Sequence, residues 1–142
     1  MNNALPIIVC STFIVLALWH FYMAVRSHPG FAAAVPGVDG KPLFMPTKKM
    51  TIAVGVALLL FALLVAATAG LLLPGVPEVL LTWLCYALAL GLFARAIGDF
   101  KYVGFFKRVR DSRFAGLDTL LFSPLCLLLA VGVAAIALQR SA

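Results

Sequence analysis

Charged residues are scarce in this chain of 142 residues. They form 11% of the sequence, and only five of them are acidic, whereas hydrophobic residues reach 64%. A soluble globular domain is nearer half apolar, so this composition is typical of a membrane protein. None of the acidic residues falls in the middle of a long apolar stretch, where an ionisable group usually marks a transport path. The distribution therefore argues against a proton-coupled transporter.

Signatures of catalysis are missing as well. The two histidines do not supply the ligand cluster that a metal site needs, and the three cysteines contain no CxxC pair, which argues against a membrane thiol oxidoreductase. No glycine-rich segment has the spacing of a phosphate-binding P-loop. A nucleophile such as Ser123 would need a neighbouring base, for which His20 is the only candidate. The sequence thus assigns no catalytic residue and predicts no metal or other cofactor.

Four long apolar stretches dominate what the sequence contains. They cover approximately residues 5–25, 50–73, 79–97 and 119–138. Each is about 20 residues long, which is enough to cross a hydrocarbon core of about 30 Å as a helix whose backbone groups pair internally. We therefore predict an all-α membrane protein, an antiparallel bundle of four transmembrane helices. It forms a single domain over residues 1–142, with long loops at about 26–49 and 98–118.

Basic residues are sorted between alternate connections. The gap after the first stretch holds four of them and the gap after the third holds five, whereas the gap at 74–78 holds none. Because short basic loops stay in the cytoplasm, both long loops are predicted to be cytoplasmic and both termini to lie outside, in the periplasm. The same bias accounts for the formal net charge of +6, so anionic lipid headgroups at the cytoplasmic face, and not nucleic acid, are the expected partner.

Turn formers and capping residues mark several element ends. Asp39 and Gly40 are a tight-turn pair that favours a short hairpin in the first loop, and Thr47 is a suitable N-cap for the second helix. Asp118 is the expected N-cap of the fourth helix, where its charge would face the positive end of the helix dipole. Pro124 lies close to that start, so we expect a kink that frees a backbone carbonyl.

Small residues recur at every fourth position in the two middle helices. Ala62, Ala66 and Gly70 share one face of the second stretch, and Ala87 and Gly91 share one face of the third. Such faces allow another helix backbone to approach closely. The proline- and glycine-rich turn at 74–77 is expected to join these two helices as an antiparallel hairpin.

Polar side chains are predicted to gather at the cytoplasmic ends of the helices. Arg95 and Asp99 lie four residues apart and are expected to pair. One interpretation is an ion network of Arg95, Asp99 and Asp118 that joins the third and fourth helices, with His20 bonded to a nearby backbone or hydroxyl group. The other is a small pocket for an anionic or amphipathic ligand. The candidate polar cluster comprises His20, Tyr22, Arg95, Asp99, Lys101, Arg113, Asp118 and Ser123.

Several stretches resemble one known family. They are Arg95–Arg110, Arg113–Thr119 and Phe122–Cys126, and Trp19–Tyr22 is similar to the first helix of the same family. The family consists of small bacterial inner-membrane proteins with four spans, catalogued as a domain of unknown function. The resemblance covers nearly the whole chain. It implies a multi-pass protein of the bacterial inner (cytoplasmic) membrane, and it implies no activity.

A non-catalytic interaction or accessory role is the function that the sequence favours. Its partner surface would be the basic, aromatic third loop with an exposed small-residue face, and its partner a larger membrane protein or a second copy of the chain. The alternative is a protein or enzyme that acts on a lipid or isoprenoid-type molecule at the cytoplasmic leaflet. In that case Arg95, Lys101 and Arg113 would hold the anionic head, with His20 and Asp118 as acid–base candidates. A small transporter is the third hypothesis, for which no polar path across the membrane is found.

Overall fold

Four helices in this computed structural model are long and apolar enough to span a membrane. They are α1 (Ala4–Val25), α2 (Lys48–Thr68), α3 (Glu78–Ile97) and α4 (Arg113–Ser141). The structure describes residues 3–26 and 34–141, so part of the first predicted loop, at 27–33, lies outside the described residues. Large apolar side chains on every one of the four helices stay exposed, as surfaces that face lipid require; examples are Ile8, Leu60, Leu90 and Leu128. The prediction of an all-helical chain with four helices long and apolar enough to span a membrane is confirmed.

The helices pack as two pairs. α1 lies mainly against α2 and α3 mainly against α4, while smaller contacts join the two pairs. Phe13, Val65, Cys85 and Ile136, one from each helix, are fully buried in the common core. The four helices therefore share one core and form one packed unit.

We expected α2 and α3 to pack on each other as an antiparallel hairpin, but each of them makes its main contacts with another helix. The small face of α2 turns towards α1 instead, where the Cys10 thiol donates a 3.4 Å hydrogen bond to the carbonyl oxygen of Ala62. On α3, Ala87 and Gly91 are exposed. The small face of α3 is therefore not used for close helix packing within this chain.

The second helix ends earlier than the apolar run predicts. The run continues to Leu73, but α2 ends at Thr68, because Gly70 adopts a left-handed conformation with φ of 73°. The N–H of Gly70 donates to the carbonyl of Ala67, and the N–H of Leu71 donates to the carbonyl of Ala66. This pair of bonds is a Schellman motif, which satisfies the last carbonyls of the helix and turns the chain away from its axis.

Two local predictions in the first loop are confirmed. β1 (Gly37–Val38) and β2 (Lys41–Pro42) form an antiparallel hairpin. Its turn residues Asp39 and Gly40 both have positive φ, 50° and 75°, as a type I′ turn requires. Thr47 caps α2, since its side-chain oxygen accepts the N–H of Met50 at 3.2 Å.

The fourth helix begins at Arg113 and not near Asp118. Ser112 is the N-cap, because its hydroxyl oxygen accepts the N–H of Ala115 at 3.0 Å. The capping role predicted for Asp118 is therefore wrong. The sequence favoured Asp118 because the apolar run starts beside it, whereas the helix has already run through the segment Arg113–Leu117.

A π-helical turn at Asp118–Phe122 lies where the sequence predicts a kink. The N–H of Ser123 reaches back five residues to the carbonyl of Asp118. Pro124 has no N–H and its ring would clash with the carbonyl four residues earlier, and a wider turn relieves that clash. The wide turn also sets the direction of Asp118, whose carboxylate is completely buried.

Candidate functional site

The Asp118 carboxylate is the centre of a buried ionic cluster. Its Oδ1 accepts a hydrogen bond of 2.8 Å from Nη2 of Arg95, at the end of α3. Its Oδ2 accepts the backbone N–H of Gly104 at 2.7 Å and the Nζ of Lys107 at 3.1 Å. Both donors lie in the segment 98–112, which we call the basic loop. One carboxylate therefore ties the basic loop and the end of α3 to the wide turn of α4.

Lys107 is a second buried member of this cluster. Only 2% of its surface is exposed. Its Nζ donates to the carbonyl of Gly104 at 3.0 Å, to Asp118 and to the hydroxyl of Thr119 at 2.6 Å. A protonated lysine has three N–H donors, so all of them are used. A buried charge is tolerable only when it is paired and fully hydrogen-bonded, and Lys107 meets both conditions.

Two glycines let the basic loop fold back onto α3. Gly98 and Gly104 have φ of 93° and 90°. A Cβ on Gly98 would overlap the carbonyl of Val103, and a Cβ on Gly104 would overlap the carbonyl of Ile97. This crossing allows the N–H of Phe105 to reach the carbonyl of Ala96 at 2.9 Å, so the loop satisfies a carbonyl at the end of α3 that the helix leaves open.

Asp99 holds the turn of the basic loop and does not pair with Arg95 as the sequence predicts. Its Oδ1 accepts the backbone N–H groups of Lys101, Tyr102 and Val103 at 2.9, 2.7 and 2.9 Å. Desolvation by burial acts to raise the pKa of the Asp99 carboxyl, but the bonds from Val103, Tyr102 and Lys101 together lower it below its usual value. Arg95 turns to Asp118 instead, so the expected network contains Arg95 and Asp118 without Asp99.

The outer surface of the basic loop is aromatic and cationic. Phe100 and Phe106 are 56% and 62% exposed, and their ring centroids lie 6.4 Å apart. The Nζ of Lys101 lies 4.9 Å from the centroid of the Tyr102 ring, and Arg108 is exposed nearby in sequence. Folding thus buries Lys107 but leaves two large rings and several cations facing outwards.

The remaining candidates from the sequence lie apart from this cluster or lack a partner in it. His20 donates from Nδ1 to the carbonyl of Leu16 at 2.7 Å, and Tyr22 packs against Trp19 with ring centroids 5.7 Å apart. Within residues 3–26 and 34–141, neither is joined to Asp118 by a hydrogen bond or ion pair. Arg113 is exposed on the first turn of α4.

Ser123 and Arg95 each carry a buried polar atom without a partner in the described part of the chain. These atoms are the hydroxyl oxygen of Ser123, whose residue is fully buried, and Nη1 of Arg95. The Arg95 side chain is otherwise 35% exposed. The two residues therefore offer hydrogen-bonding capacity that the fold itself does not use.

Lys107 and the crossing glycines are the site residues that sequence reasoning missed. Lys107 is one of five basic residues between the third and fourth apolar stretches, and nothing in its spacing distinguishes it from the others. The two glycines, six positions apart in an otherwise bulky segment, were the available signal for a close backbone crossing. Among the residues that the structure describes, no three ligand-type side chains come together as a metal site would require.

Comparison with known proteins gives a match to a family. A family model for a protein of unknown function matches residues 13–133, which reach from α1 into α4 and include the whole Asp118 cluster. No curated protein and no solved structure shows significant similarity to the chain. A family of unknown function is what the stretches around Arg95 and Asp118 predicted, and that prediction is confirmed.

Proposed function

Because the chain belongs to this family, DUF3995, whose description assigns no activity, we propose a function from the chain's own residues. It is a non-catalytic accessory protein of a bacterial inner membrane that presents the basic loop to another membrane protein. The observation that carries this proposal is the saturation of Asp118 by Arg95, Lys107 and Gly104. A carboxylate held by three donors serves as a structural anchor for the loop and is poorly suited to proton transfer.

The proposal includes an orientation. Both long loops lie in the cytoplasm and both termini in the periplasm, with the four helices antiparallel. This orientation is supported by the sorting of basic residues, because those of the basic loop other than Lys107 stay exposed at one end of α3 and α4. At the other end of this helix pair, Arg140 forms an ion pair with Glu78, so its charge is locally balanced.

The remaining acid–base candidates also have structural roles. Asp99 is engaged by three backbone N–H groups, and the ring of His20 is bonded within its own helix. The described residues therefore bring no base next to Ser123, which a nucleophilic hydroxyl would need. This arrangement favours an interaction protein over an enzyme.

The basic loop has the properties of a preformed contact surface. Its backbone is fixed by the Gly98–Gly104 crossing and by Asp118, so binding would not require the loop to become ordered first. Phe100 and Phe106 offer apolar contact area, and aromatic anchors surrounded by cations are common at the centres of protein interfaces. The partner would be a membrane protein with an acidic, apolar patch at the cytoplasmic boundary.

Site-specific photo-crosslinking in living cells tests this function. A photo-reactive phenylalanine analogue replaces Phe106, and a matched variant carries it at Trp83, an exposed aromatic on α3. We expect a discrete covalent adduct with another protein from position 106 and none from position 83. The absence of any protein adduct at 106, or the same adducts at both positions, would contradict an interaction through the basic loop.

A lipid- or isoprenoid-binding function is the second candidate, and one observation favours it. Arg95 is partly exposed at the end of α3 and uses only one of its N–H groups on Asp118. Lys101 and Arg113, the other proposed headgroup ligands, are exposed and available. The enzymatic form of this hypothesis has less support, because His20 is not joined to the cluster. No polar path through the described helices supports a transporter.

A further inference from the structure

The buried ionic cluster carries an unbalanced positive charge. Arg95 and Lys107 contribute two positive charges, and Asp118 contributes one negative charge. Lys107 is enclosed and its three donors are used, so the excess charge can meet another anion only through Arg95. An excess positive charge at the edge of an apolar region is stabilised when an anion binds beside it and neutralises it.

Arg95 has donors to spare for such an anion. A guanidinium group has five N–H donors, but among the described residues only Nη2 is hydrogen-bonded, in a single 2.8 Å bond to Asp118. The usual two-bond pairing of arginine with a carboxylate is blocked, because Oδ2 of Asp118 already accepts from Gly104 and Lys107. Nη1 is buried and has no partner within residues 3–26 and 34–141.

A second unsatisfied group lies on α4. Ser123 is bonded through its backbone N–H to the carbonyl of Asp118, so it lies one π-helical turn beyond the carboxylate that holds Arg95. Its hydroxyl oxygen is completely buried and unpartnered in the described part of the chain. Buried hydroxyl groups are normally hydrogen-bonded, so this one also indicates an acceptor or donor that the fold does not provide.

The surface of α3 beside Arg95 has room for an apolar chain. Gly91, one helical turn before Arg95, is exposed, and a Cβ placed on it would meet nothing within 4 Å. Ala87, one turn further, is exposed too. The small face of α3 therefore leads from Arg95 along the apolar length of the helix and is open to the surroundings.

We infer that one anionic phospholipid binds here, with its phosphate on Arg95 and Ser123 and an acyl chain along Ala87 and Gly91. An arginine is well matched to a phosphate, because its planar donors bind two oxygens together. Inorganic phosphate would bond to the guanidinium but would make no apolar contact with the small face of α3, so we expect the site to bind a lipid. This inference concerns a different surface from the outer face of the basic loop and does not require the partner protein proposed above.

Native mass spectrometry of the purified full-length protein tests the inference. The protein is titrated with phosphatidylglycerol, with phosphatidylcholine and with inorganic phosphate in separate samples. Arg95→Gln should weaken binding of the first phosphatidylglycerol about tenfold, the effect of losing a hydrogen bond to a charged group. Lys49→Gln, which removes one positive charge from an exposed position on the first turn of α2, should leave that binding unchanged.

A second pair of variants leaves the ionic cluster intact. Gly91→Leu should fold normally, since its Cβ meets nothing within 4 Å, but should cover the small face of α3 and weaken lipid binding severalfold. Gly116→Leu is the matched control, because a Cβ there also meets nothing within 4 Å. If Arg95→Gln failed to fold, the Gly91→Leu and Gly116→Leu pair would decide the question.

Three results would overturn the inference. Phosphatidylglycerol could bind the Arg95→Gln or Gly91→Leu protein as it binds the unchanged protein. Lys49→Gln could weaken binding as much as Arg95→Gln, which would indicate diffuse attraction to the basic residues of the protein. Inorganic phosphate could displace the bound lipid at equal concentration, which would make the site one for a free anion. The crosslinking result at position 106 is independent of all three.

Discussion

The Nζ of Lys107 lies 3.1 Å from Oδ2 of Asp118, and both side chains are almost completely enclosed. The two residues are eleven positions apart, one in the basic loop and the other in the wide turn of α4. Their ion pair closes the basic loop over the ends of α3 and α4. The stability of the loop therefore depends on a charge pair that water does not reach.

Replacing Asp118 should be far more costly than replacing Lys107. Asp118→Asn leaves Lys107 as a buried cation without an anionic partner, and we expect a loss of about 3–5 kcal/mol in the free energy of unfolding. Lys107→Met leaves Asp118 paired with Arg95 and Gly104, so the loss should be smaller, about 1–2 kcal/mol. Chemical unfolding in a mild detergent, followed by circular dichroism, measures both values.

Asp111→Asn is the control for this comparison. Asp111 is an exposed acid in the same loop, and its replacement should change the free energy of unfolding by less than about 0.5 kcal/mol. Equal effects of Asp118→Asn and Asp111→Asn would show that the buried pair does not hold the loop.

Two glycine-to-alanine substitutions should have opposite effects on thermal stability. Gly104→Ala places a side chain at positive φ against the carbonyl of Ile97, and we expect a loss of about 2 kcal/mol or more. Gly116→Ala lies in the helical first turn of α4 with open space around it, and should gain up to about 1 kcal/mol from helix propensity. The melting temperatures of the two purified variants give the answer. A melting temperature of Gly104→Ala at or above that of the unchanged protein would rule out the tight crossing.

The order of the loop should depend on pH through Asp99. Backbone bonds lower the pKa of its carboxyl, so its stabilising contribution is complete above the ordinary aspartate pKa of about 3.9. That contribution is lost as the pH falls through the still lower pKa of the folded state. We expect the NMR amide signals of Lys101, Tyr102 and Val103 to shift together in that range. In the Asp99→Asn variant these amide signals should not shift with pH in that range. If they still shifted, the transition would belong to a group other than Asp99.

The parts of the fold that depend on local sequence could be predicted. Continuous apolar runs predict helices because lipid leaves the backbone no other partner, and Asp39, Gly40 and Thr47 act within a few residues of their own positions. The start of α4 could not be located in the same way. Both Ser112 and Asp118 are good caps, and the apolar run begins beside Asp118 although the helix does not.

The candidate site was predicted only in part. Arg95 and Asp118 were identified because ionisable groups at the ends of spans are rare. The predicted ion network joined them, but it wrongly included Asp99, because the four-residue spacing favoured Asp99 as a partner of Arg95. Asp99 is unavailable because three nearby backbone N–H groups occupy its carboxylate. Burial of Lys107 depends on how the loop folds back, which no periodic pattern in the sequence records.

The orientation of the basic loop is the claim on which the proposed function depends, and cysteine labelling tests it most directly. Lys101→Cys and Leu72→Cys are made separately in a protein without its own cysteines, since both positions are exposed in the connections that follow α3 and α2. In intact spheroplasts, a membrane-impermeant maleimide should label position 72 and leave position 101 unlabelled, and in inverted vesicles the pattern should reverse. Labelling of position 101 from outside intact spheroplasts would place the basic loop in the periplasm and contradict the account.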